Sequence, residues 1–175
     1  MPAEEIDLQV SHITTDAIGE PGKRVFYIQG WQEDRSVIVI VEKIQVQSLA
    51  IGVEQFLAEI HAKFPDLPET VVDYTEDKMH IYPPVDPLFR VGELGLGYDV
   101  ENDRVILVAR ELLNEGEDRD DARVVRYWCT RSQIRSMCHW GLEVTSRGRP
   151  ICPQCGEPMD PGGHFCPKRN GHKPA

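Results

Sequence analysis

Residues 24–64, RVFYIQGWQEDRSVIVIVEKIQVQSLAIGVEQFLAEIHAKF, contain the change of period on which the fold turns. Arg24 to Trp31 reads as a strand, and Gln32 to Arg35 as a polar reversal. Val37 to Val41 is five β-branched residues in a row, the composition of a central strand buried on both faces. Beyond Glu42 the apolar positions move to helical spacing. Val46, Leu49, Ala50, Val53, Phe56, Leu57, Ile60 and Phe64 fall on one side of a helix of about five turns. Pro65 and Pro68 stop it, because a proline ring fixes φ and removes an amide donor. Upstream, Ile6 to Ile13 alternates loosely as a first strand, and Gly19-Glu20-Pro21-Gly22 makes the turn into the second.

Downstream, residues 65–87 hold five prolines and six acidic side chains without a sustained period, which reads as a connector. The order of elements then repeats. Leu88 to Tyr98, Arg104 to Leu113 and Arg123 to Cys129 read as strands, joined by a turn at Asp99–Asp103 and an acidic loop at 114–121. A second helix follows, with Thr130 as N-cap and Gln133 at the capping-box position. Its inward stripe is Ile134, Met137, Cys138, Gly141 and Leu142. Three strands and a helix, twice over, predict an α+β fold: a mostly antiparallel sheet built from two βββα-like halves, with two helices packed on one side.

The formal net charge of −10 is uneven. Residues 147–175 carry five basic side chains against Glu157 and Asp160, a net of +3, so residues 1–146 carry −13. Such an acidic body repels a phosphate backbone, which disfavours nucleic acid as a partner and confines any contact to a modest, salt-sensitive one through the tail. No apolar run is long enough to cross a bilayer, and the acidic start (Glu4, Glu5, Asp7) has no signal-peptide pattern, so a cytoplasmic protein is expected. The body, 1–146, is large enough to fold on its own core. The tail, 147–175, is not: eleven of its 29 residues are Gly or Pro, and little in it is apolar.

That tail holds the one motif with chemistry in it. Cys152 and Cys155 form a C-x-x-C pair followed by Gly156, and Cys166 comes ten residues after Gly156. His164 precedes Cys166 by two positions, and His172 follows it by six. Three thiolates and one imidazole make the tetrahedral set of a closed, structural zinc site, with Zn–S near 2.3 Å (about). The expected ligands are Cys152, Cys155, Cys166 and either His164 or His172. His164 shares a face with Cys166 in an extended segment, whereas His172 lies near the chain end. A redox C-x-x-C opens a helix, which Pro153 and Gly156 do not suit. Cys129 and Cys138 read instead as buried, inert thiols.

Catalysis has weaker support. A thiolate-rich closed site makes the metal a poor Lewis acid, no histidine has Glu two residues later, and H-E-x-x-H, G-x-S-x-G and the complete P-loop are absent. The chain therefore reads as a non-enzymatic zinc protein whose tail serves structure and an unidentified protein partner. The alternative is an enzyme or anion-binding protein with a pocket along the strip left bare by Gly95 and Gly97, anchored by Arg90 or Arg131. Gly92 belongs to the same run, and packing of a helix on it is the simpler reading. Arg131, Arg135 and His139 recur at four-residue spacing and read as a solvated face balancing acids. His12, His61 and His80 are isolated.

Several groups of residues carry a family resemblance: Gly22-x-Arg24-x-Phe26-Tyr27, Glu42-Lys43, Phe89-Arg90-Val91-Gly92 with Leu96-Gly97, and Gly148-Arg149-Pro150. The tail adds Cys152-Pro153-x-Cys155, Asp160-Pro161, Gly163-His164-x-Cys166 and Asn170-Gly171. On these the chain resembles the bacterial family labelled "domain of unknown function 3090". The resemblance implies a cytoplasmic protein with a metal-type tail and no activity that can be carried over. Family members have Asn-Gly-Tyr where this chain has Asn170-Gly171-His172, which implies His164 as the fourth ligand.

Overall fold

The computed structural model describes residues 3–20 and 22–147. It contains strands β1 (Glu5–Gln9), β2 (His12–Ile18), β3 (Val25–Gln32), β4 (Arg35–Val41), β5 (Val91–Asp99), β6 (Arg104–Glu111) and β7 (Val124–Cys129). The helices are α1 (Lys43–Lys63) and α2 (Arg131–Ser146), and single 3-10 turns lie at Glu76–Lys78 and Arg119–Asp121. The α+β class, the two helices and the largely antiparallel pairing agree with the sequence reading.

The strands differ from that reading in number and grouping. Among the described residues seven strands form two sheets, ordered β1-β7-β6-β5 and β2-β3-β4, and the one parallel pair of these strands is β1 with β7. Ile6–Ile13, expected as a single strand, turns a corner between Val10 and Ser11. Val10 N–H donates to the Trp128 carbonyl in the first sheet, and Ser11 N–H to the Trp31 carbonyl in the second. The buried positions record the corner, since Ile6, Leu8 and Val10 give way to Ile13, a slip from even to odd phase. On the far side the sheets meet again. Leu88 N–H donates to the Ile38 carbonyl and Ile40 N–H to the Phe89 carbonyl, so β4 has a short parallel neighbour. This explains why Val37, Ile38, Val39 and Val41 are all buried.

The sheets face one another over a common core. Val105, Leu107 and Ala109 of β6 and Val125, Tyr127 and Cys129 of β7 are fully removed from solvent. Tyr127 crosses the interface, donating its hydroxyl to the Val37 carbonyl at 3.1 Å. It passes Gly30, where a Cβ would sit 2.6 Å from the ring. Burial holds the Tyr127 hydroxyl well above its ordinary pKa.

The helices pack on each other, with α2 also lying across β2. Gly141 marks the closest approach: a Cβ there would be 2.9 Å from Val46 and 3.0 Å from Thr15. The capping box read from sequence is formed, Gln133 N–H donating to Thr130 Oγ1 and Thr130 N–H to Gln133 Oε1. The inward stripe needs one correction. Leu142 is 47% exposed, and Trp140, Val144 and Thr145 are buried in its place, because α2 runs on to Ser146 and the stripe advances around it.

Candidate functional site

The expected ligands Cys152, Cys155, His164, Cys166 and the alternative His172 lie outside the described residues. Among the described residues no cluster of three His, Cys, Asp or Glu is placed to hold a metal ion, and no helix is long and apolar enough to cross a membrane. Cys129 and Cys138 are buried free thiols. Burial raises both pKa values, that of Cys138 to about 12, which leaves neither a nucleophile at neutral pH.

The glycine strip is open. In β5 the side chains of Leu94, Leu96 and Tyr98 turn towards the core, while Gly95 faces outward with nothing within 4 Å of its Cβ position. Among the described residues no helix atom comes within 4 Å of the Gly95 or Gly97 Cβ positions, whereas α1 does meet β5 at Gly92, where Gln45 donates to the Val91 and Gly92 carbonyls. The proposed anchors are also engaged: Arg90 pairs with Glu42 at 2.9 Å, and Arg131 makes a two-pronged pair with Asp103 at 2.8 and 3.1 Å. Asp103 also accepts from the Tyr98 hydroxyl, which burial and this bond push up to about 12. The stripe Arg131, Arg135, His139 does balance acids without being solvated along its length, for the Arg131 side chain is only 11% exposed. Arg135 pairs with Glu54, and His139 Nδ1 lies 2.8 Å from the Tyr74 hydroxyl.

These contacts point to the connector. It has almost no regular structure, yet side chains of β2, β3 and α2 tether it along its length. From α2, the Ser132 and Ser136 hydroxyls accept from Val71 N–H and Asp73 N–H, and Arg131 donates to the Pro68 carbonyl. From β2, His12 Nε2 donates to the Lys78 carbonyl and Thr14 Oγ1 to the Met79 carbonyl. Asp16 accepts from His80 Nδ1 and Ile81 N–H, both at 3.0 Å. Gln29 of β3, 1% exposed, exchanges two hydrogen bonds with the Tyr82 backbone as a neighbouring strand would. The segment is a strap. His12 and His80, assigned nothing from sequence, are two of its fasteners.

Beneath the strap is a cleft of about 390 Å³, between residues 71–79, the β1–β2 corner and the first turns of α2. Its apolar lining includes Ile13 and Met79, each 2% exposed, and the exposed Val71. Its polar wall includes His12, Asp73, Lys78, Ser132 and Ser136. Sequence reasoning missed this site, because its residues come from three segments far apart in the chain. The signal available was two serines at four-residue spacing on an inward part of α2. At the end of α2, Arg147 pairs with Glu76 of the strap at 2.8 Å and lies over the Trp140 ring at 4.9 Å. The Trp140 Nε1 is the buried side-chain polar atom left unpartnered among the described residues.

A protein-family model described as "Protein of unknown function (DUF3090)" matches residues 8–166. No curated protein and no solved structure matches the chain.

Proposed function

Because the chain belongs to the family described as Protein of unknown function (DUF3090), which supplies no activity to carry over, we propose its role from its own residues. It is a cytoplasmic zinc-binding protein, non-enzymatic, whose tail is organised by one structural Zn2+ and presented to a protein partner. The observation that carries this reading is the tail's composition: three cysteines and a histidine at ligand spacing, in a stretch with too little apolar surface to fold unaided. Zinc binding on the order of 10–16 kcal/mol would supply what a core cannot. The family match supports His164 over His172, since it extends through Cys166 and ends before His172.

The test is elemental analysis of the full chain, with about one zinc expected per molecule. Joint replacement Cys152→Ala and Cys166→Ala removes the metal and exposes the tail to protease, while the melting of the body is retained. If that variant keeps its zinc, the ligand assignment is wrong.

A further inference from the structure

The cleft beneath the strap has a charge pattern that structural tethering does not need. Asp73 and Lys78 both line it, and neither enters an ion pair among the described residues, the adjacent Glu76 being engaged by Arg147 and His80 instead. Their backbones are fixed separately, Asp73 by Ser136 and Lys78 by His12. Ser132 and Ser136 accept from the strap, and neither O–H donates to any described acceptor. Ser136 is only 7% exposed and lines the cleft, so its hydroxyl hydrogen can turn to a group bound there. Because His12 Nε2–H donates to the Lys78 carbonyl, Nδ1 is the ring atom left to accept a hydrogen bond.

We propose that this cleft binds a free α-amino acid. Lys78 and the unused serine hydroxyls supply donors for its carboxylate, and Asp73 with His12 supplies acceptors for its ammonium group. Ile13 and Met79 cover the stem of its side chain. The volume stands at the lower end of the range for small-molecule sites, roughly 300–1,000 Å³, which suits one amino acid better than a nucleotide. A simple anion would leave Asp73 opposed and unused, and a neutral polyol would leave both charges without a partner.

The experiment is calorimetric titration of the full-length protein with the common α-amino acids. The best binder is then compared with its carboxamide, which lacks the carboxylate, and its N-acetyl derivative, which lacks the ammonium group. We expect saturable binding, weakened about tenfold or more by either modification. Lys78→Met should bind the acid and the amide alike, and Asp73→Asn should no longer favour the free amine over its N-acetyl form. Both positions are exposed, so these variants fold, and an unchanged melting temperature checks it. Binding by no amino acid, equal binding of the derivatives, or unchanged discrimination in the two variants overturns the proposal. Zinc content is read separately and bears only on the tail.

Discussion

Gly30 and Tyr127 fit together as one unit, because the ring passes through the space that a side chain at 30 would occupy. Gly30→Ala therefore forces the ring or the β3 backbone to move. The expected cost is about 1–3 kcal/mol in denaturant unfolding, the usual range for overpacking a core. Gly95→Ala, with no atom near its Cβ position, should stay within about 0.5 kcal/mol of the parent. Sequence alone ranks these positions the other way round. The run Gly92, Gly95, Gly97 draws attention, whereas a lone glycine inside an apolar strand does not. What separates them is the neighbour on the facing sheet, and Tyr127 lies far along the chain.

Among the elements, the helices were the most legible, since a period of 3.6 and a capping box are local properties. Thr130 and Gln133 form the box expected of them. The strap was not legible, because its order comes from side chains on other elements and its own sequence carries no period. Asp16 is the clearest example, an acid that would ordinarily face water, in a strand whose four residues from Ile13 to Asp16 are all buried. It sits 8% exposed and holds residues 80 and 81. Asp16→Ala should free that part of the strap while leaving both sheets intact. Hydrogen exchange reads this directly: the Ile81 amide should lose its protection, and the β6 and β7 amides should keep theirs. Faster exchange throughout the molecule would mean that the strap is part of the core.

At the scale of the whole molecule, ion pairs fasten segments distant in sequence, both across neighbouring strands, as Asp7 with Arg126 in the β1–β7 pair, and where no ladder runs, as Asp103 with Arg131. Arg126 holds the Asp7 carboxyl below the usual range, Arg131 does so for Asp103, and Arg123 for Glu111. A carboxyl with a depressed folded-state pKa adds stability that is complete above its unfolded value, near 4, and is lost as pH falls through its folded value. Melting temperature should thus stay level from neutral pH down to about 4 and fall below it. Asp103→Asn should start lower at neutral pH and lose less on acidification. An equally steep acid fall in that variant would exclude Asp103 from the effect. These pairs are partly exposed, so added salt should weaken them as well.

The parallel pairing of β1 with β7 also governs the order of events during synthesis. Asp7 meets Arg126 across 119 positions of chain, so β1 finds its neighbouring strand only once residues 124–129 have been synthesised. Until then Ile6 and Leu8, destined for the interior, have no strand to lie against. The sheet β1-β7-β6-β5 therefore cannot be completed on the ribosome before residues 124–129 have emerged from the exit tunnel.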